Sequence, residues 1–98
     1  MPLMISRRRL EAGEFDAWEV RFKGRAATRH AAGCRGVRYF RGLDDPDQVT
    51  IIFDWETREA GKAFIDAMLV QFPNLNRDAG VPGGSDYMFV EERQPLPN

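Results

Sequence analysis

The chain has 98 residues, of which 43% are hydrophobic and 30% charged, with a formal net charge of −1, the profile of one soluble globular domain. No apolar run approaches the ~20 residues of a membrane-spanning helix, and the short apolar start before Arg7, Arg8 and Arg9 does not read as a secretory leader. A single cysteine, Cys34, excludes an internal disulfide and a cysteine-based zinc framework, and it suits a reducing cytoplasm.

Taken in order, Leu3 to Leu10 reads as a first strand whose arginine end emerges near solvent or meets acidic neighbours. A short turn follows, and helix one is expected from about Glu14 to Ala32. Phe15, Trp18, Phe22 and Ala26 fall on one helical face there, with Arg21, Arg25 and Arg29 as an adjacent cationic strip. Gly33 is placed to end that helix. Val37 to Arg41 is the second strand, and the polar turn from Gly42 to Asp47 is of the kind that joins antiparallel strands.

The stretch from Val49 to Met68 is the most strongly patterned part of the chain. Val49 to Trp55 alternates and is rich in β-branched and aromatic residues, as a strand with one buried face should be. Thr57 then supplies an N-cap hydroxyl. Ala60, Phe64, Ala67 and Met68 follow at helical spacing. Helix two should end near Phe72, because Pro73 biases the preceding residue away from helix. Pro73 to Ser85 reads as loop with a helical turn around Asn76 to Ala79, Asp86 to Glu92 as the fourth strand, and the last residues as a polar tail. Tyr87 and Phe89 share one face of that strand, Met88 and Val90 the other. Both faces are apolar, so a second layer must cover the one away from the helices, and another copy of the sheet is the simplest cover.

Charge is uneven along the chain. Residues 1–43 carry ten Lys/Arg and four Asp/Glu, and residues 44–98 carry four and eleven. The basic residues are spread over several elements, and the acidic half is available to pair with them, so nucleic acid is not an expected partner.

The element order, strand–helix–strand–strand–helix–strand, is the ferredoxin-like βαββαβ pattern, an α+β domain spanning residues 1–98 with two helices on one face of a four-stranded antiparallel sheet. RNA-recognition modules share this order, but the third strand, with its acidic neighbours, lacks their Lys/Arg-Gly-aromatic signature. Gly33-Cys34-Arg35-Gly36, the Asp44-Asp45-Pro46 turn and Trp55-Glu56-Thr57-Arg58-Glu59-Ala60 resemble the antibiotic biosynthesis monooxygenase domain of the dimeric α/β-barrel superfamily. The resemblance implies a homodimer, its sheets packed face to face into a barrel, and a pocket in each subunit between helices and sheet. Some members of that family oxidise aromatic polyketides with molecular oxygen and neither metal nor flavin, and others degrade haem. Many carry a histidine nine residues after the strand-three tryptophan, where this chain has Phe64. The haem-degrading branch uses an asparagine on strand one and a histidine on helix two. Neither is present, so no haem breakdown is expected.

The function implied is a small cofactor-independent monooxygenase acting on an aromatic or polyketide-like substrate. The alternative is a ligand-binding or structural homodimer of the same fold. Trp55 is the catalytic wall residue the resemblance implies, with its indole N–H as a donor. His30 is the one side chain whose ordinary pKa makes it a ready base, although its place near a helix C-terminus favours the protonated form. Phe22, Phe53, Phe64 and Met68 are expected to line the substrate pocket, because residues 53 and 55 share a strand face and 64 and 68 a helix face. No metal site or cofactor is expected. Tyr39 and Tyr87 are weighed as oxyanion donors, and Cys34 is read as a small buried thiol.

Overall fold

A computed structural model describes residues 2–72 and 79–98 of the chain. The elements are β1 (Leu3–Arg9), α1 (Phe15–Gly24), α2 (Ala26–Ala31), β2 (Cys34–Arg41), β3 (Gln48–Trp55), α3 (Arg58–Gln71) and β4 (Ser85–Val90). The strands form one antiparallel sheet in the order β2-β3-β1-β4, which is the ferredoxin-like arrangement. The helical turn expected around Asn76 to Ala79 lies largely outside the described residues.

Alternation on β3 sets the layers. Val49, Ile51, Phe53 and Trp55 are all buried, while Thr50, Ile52 and Asp54 between them are only partly covered. Register carries that division across the sheet. Met4 pairs with Phe53 and with Phe89, Ser6 with Ile51 and Tyr87, and Arg8 with Val49 and Ser85, so these residues face the helices. Val37 and Tyr39 of β2 share that face, opposite Phe53 and Ile51. The core is this one layer, closed by Phe15 and Trp18 of α1.

Helix α3 is held at a fixed height above β3. Thr57 Oγ1 accepts the Ala60 N–H at 3.0 Å, the expected N-cap. Gly61 then lets the helix come close. A Cβ there would lie 2.8 Å from a ring carbon of Phe89 and 2.9 Å from Cδ1 of Trp55, distances no side chain tolerates without displacement.

The single helix expected from Glu14 to Ala32 is two. The chain leaves helical geometry at Arg25, whose φ of −99° and ψ of 13° separate α1 from α2. Gly24, a poor helix residue, precedes the break. The Phe22 carbonyl freed there accepts the Arg25 N–H and an Nη1–H of Arg29 at 2.7 Å. Arg29 is thereby turned inward and is 7% exposed, its positive charge at the negative end of α1. Gly33, at φ +104°, follows α2 as expected. Strand β2 begins three residues before the expected start, with an irregularity in the ladder between Cys34 and Gly36.

The sheet face away from the helices carries Leu3, Ile5, Phe40, Ile52, Met88 and Val90. Met88 is 58% exposed and Phe40 50%. On the same face Arg7 pairs with Asp86 at 2.5 Å. Arg9 pairs with Asp45 and Arg35 with Glu56, so cations of the basic half do meet acids of the other half. Among the described residues no helix is long and apolar enough to cross a membrane.

Candidate active site

The helix face of the sheet does not fill completely. Phe22 comes from α1, Ile51 and Phe53 from β3, and Phe64 and Met68, one turn apart, from α3. They surround a cavity of about 90 Å³. A second hollow of about 240 Å³ adjoins it, and Arg8, Phe22, Arg25 and Met68 border both. The aromatic wall is continuous. Trp18 stacks on Phe22 at 4.8 Å between centroids, Phe22 meets Phe53 edge-on at 6.3 Å, Phe53 stacks on Trp55 at 6.0 Å, and Trp55 lies 5.2 Å from Phe64. Offset and edge-on contacts at these separations are the attractive ones for aromatic quadrupoles.

Of the residues singled out from the sequence, Phe22, Phe53, Phe64 and Met68 come together on the cavity. Trp55 stands behind them, fully buried between Phe53 and Phe64, and does not line it. Its Nε1–H meets no acceptor among the described residues. An orphaned buried donor costs about 1–3 kcal/mol. His30 is exposed on α2 and borders a separate hollow with Cys34 and Val37. Cys34 is buried, its Sγ 3.4 Å from the Gly36 carbonyl. The Tyr39 hydroxyl donates to Glu19 at 2.7 Å, and that bond, then burial, raises its pKa. Tyr87 does border the cavity.

Other wall residues did not emerge from sequence reasoning. Ile65 and Leu69 lie off the main apolar face of α3, which in the sequence points to a second covered side formed by the segment after the helix, and they border the cavity. Residues 73–78 of that segment lie outside the described residues. Arg8 and Arg29 also border it. Asp86 contributes to the wall, but its carboxylate is held by Arg7 on the opposite face of the sheet. Among the described residues no group of three or more His, Cys, Asp or Glu is placed to hold a metal ion.

The family model for antibiotic biosynthesis monooxygenases matches residues 1–70. The chain belongs to the antibiotic biosynthesis monooxygenase family. No curated protein matches it. Among solved structures, SnoaB, a cofactor-independent oxygenase from Streptomyces nogalater crystallised as a point mutant, has a TM-score of 0.70 at 17% identity, with 99% of this chain and 97% of that one covered. MhuD, a heme-degrader from Mycobacterium tuberculosis solved with two hemes bound, has a TM-score of 0.68 at 19% identity, covering 98% and 99%. A putative antibiotic biosynthesis monooxygenase from Deinococcus radiodurans has a TM-score of 0.64 at 16% identity, covering 98% and 96%. At these identities the likeness is one of fold. The antibiotic biosynthesis monooxygenase fold thus accommodates both cofactor-free oxygenation and haem breakdown, and the residues at the cavity must distinguish them. The lone histidine of the chain lies outside the cavity, so the lining offers no imidazole to a haem iron.

Proposed function

We propose that this protein is a small oxygenase of the antibiotic biosynthesis monooxygenase family that oxidises an aromatic or polyketide-like substrate with molecular oxygen, without a cofactor, as a cytoplasmic homodimer. The observation that carries the reading is the meeting of Phe22, Phe53, Phe64 and Met68, from three elements, on one cavity. Apolar walls with a few polar groups are the usual make-up of a small-molecule site. An apolar cavity of about 150 Å³ holds benzene, so the two hollows must merge to take a fused ring. Met68 borders both and has the unbranched, adaptable chain to let them do so.

The chemistry requires a carbon acid that becomes a stabilised anion. Positive charge from Arg8 and Arg29 at the cavity favours the deprotonated form of a phenol or enol bound there. Water takes the proton, and the carbanion supplies electrons to oxygen. At an anthrone methylene the balance is complete: two C–H bonds break, one oxygen atom becomes the carbonyl, and the other leaves as water. Trp55 supports the rings of Phe53 and Phe64 from behind the lining, and its Nε1–H, which meets no acceptor among the described residues, donates to the oxyanion once substrate displaces those rings.

The homodimer reading is supported by Ile5, Ile52, Met88 and Val90, which lie together on the open sheet face, since apolar residues grouped at a surface mark interaction sites. The unpaired thiol of Cys34 suits the cytoplasm. Oxygen uptake with an anthrone substrate, without added metal or flavin, tests the enzyme. The wild type should consume oxygen well above the buffer rate. Trp55→Phe should fold, since a ring remains between its neighbours, and turn over about 10- to 1,000-fold more slowly. Uptake no faster than buffer would leave the alternative, a structural or ligand-binding dimer.

A further inference from the structure

Four arginines of the basic half gather on the helix side of the sheet. Arg8 and Arg25 border both hollows, Arg29 the smaller and Arg21 the larger. None of the four is in an ion pair among the described residues. Among the described residues, Asp45 pairs with Arg9, Glu56 with Arg35, and Asp86 with Arg7. Burial first, then the charges of Arg25 and Arg21, holds the Arg8 pKa below the ordinary value. Arg8 is partly covered and Arg29 buried, while Arg21 and Arg25 are exposed, and like charges beside a covered one disfavour its charged form.

Two of these side chains are fixed by other contacts. The Arg29 guanidinium lies 4.1 Å above the Phe22 ring and donates to the Phe22 carbonyl. Arg25 stands over Phe72 at 5.5 Å. The site is therefore polarised, with an aliphatic and aromatic end at Ile51, Phe53 and Phe64 and a cationic end at Arg8 and Arg25. Arg8 is partly covered and Arg29 buried, and the exposed pair Arg21 and Arg25 is too small for the stripe that a nucleic-acid backbone needs.

We propose that this cationic end receives the carboxylate of a flat aromatic acid whose ring lies between Phe22, Phe53 and Phe64. The inference rests on the reading of this cavity as the substrate site and narrows its substrate to one bearing an anionic group besides the reacting carbon. Guanidinium suits the task, because its fork of N–H donors meets both oxygens of a carboxylate at once. An anion there also offsets the mutual repulsion of Arg8, Arg25 and Arg21.

Calorimetric titration of the full chain with anthraquinone-2-carboxylate and with the neutral anthraquinone-2-carboxamide tests this without relying on turnover. The acid should bind about 10-fold or more tightly than the amide, and the preference should weaken with salt. Arg8→Gln and Arg25→Gln should each erase most of the preference, while Arg93→Gln, on the exposed tail, keeps it. Arg8→Gln should also unfold at a higher temperature than the wild type, which shows that its lost affinity is not lost folding. Equal binding of acid and amide overturns the carboxylate assignment and leaves the cavity as an aromatic site. Failure of both ligands to bind overturns the cavity reading, and this proposal with it.

Discussion

Arg7 and Arg8 are neighbours on β1 and live in opposite surroundings. Arg7 points to the open face and meets Asp86 directly across the ladder, with contacts of 2.5 and 3.2 Å. Arg8 points to the helices and meets the charges of Arg25 and Arg21. The period of two alone separates them. On the face that bears the apolar patch Arg7 is neutralised within the subunit, while Arg38, opposite Ile52 on the same face, is exposed and in no ion pair among the described residues, so a layer covering that face must offer it an acid. On the face that bears the cavity, Arg8, Arg25 and Arg29 are in no ion pair among the described residues. Register thus gives two neighbouring arginines different surroundings, a carboxylate for Arg7 and other arginines for Arg8.

The largest effect is expected at the open face. Met88→Asp places an unpaired carboxylate amid Ile5, Ile52 and Val90, and each one buried should weaken self-association by about 3–5 kcal/mol. Light scattering at micromolar concentration should then find monomer where the wild type is a dimer. A wild type that is itself a stable monomer would remove the covered-face argument.

On the helix face, Gly61→Ala tests how tightly α3 sits on Trp55. The added methyl meets Phe89 and Trp55 below 3.0 Å, and overpacking of this kind costs about 1–3 kcal/mol. Greater helix propensity returns up to about 1 kcal/mol. The urea midpoint should fall, and a rise would mean that the helix lifts freely.

The smallest effect belongs to the paired arginine. Hydrogen bonding from Arg7 holds the Asp86 carboxyl below the ordinary carboxylate value. A depressed carboxylate stabilises the fold above its unfolded pKa, and that contribution disappears as pH falls through the folded pKa. Both side chains are solvent-screened, at 59% and 39% exposed, so Asp86→Asn should cost under about 1 kcal/mol at neutral pH. The difference in melting temperature between variant and wild type should vanish in strong acid. A constant difference would place the effect in packing.

How much of this was legible in the sequence follows the range of the interaction. Thr57 and the alternation from Val49 to Trp55 act over a few residues, and the structure has the cap and the buried face where they were read. The break at Arg25 was not legible. Every residue near it but Gly24 tolerates a helix, and the Arg29 side chain that closes the break reaches back to a carbonyl seven residues earlier. The facing of β1 was equally hidden, because Leu3 and Ile5 are as apolar as Met4. Only pairing with Phe53 and Phe89 sends Met4, Ser6 and Arg8 to the helices. The arginine cluster follows from that facing. So does the position of Trp55, which periodicity puts on the cavity side but not in its lining.

The strand order has a consequence for synthesis. β1 is an inner strand, yet its second neighbour is the last strand made, and the Ser6 hydroxyl finds its acceptor on Asp86 across 80 residues of sequence. While the ribosome is still adding that segment, β1 can pair with β3 but shows an unoccupied ladder edge on its other side. Contacts so distant also slow folding once the chain is free. The nascent protein is thus most exposed to mispairing with a second nascent copy just before β4 emerges, and Arg7, awaiting Asp86, keeps a positive charge on that edge during the wait.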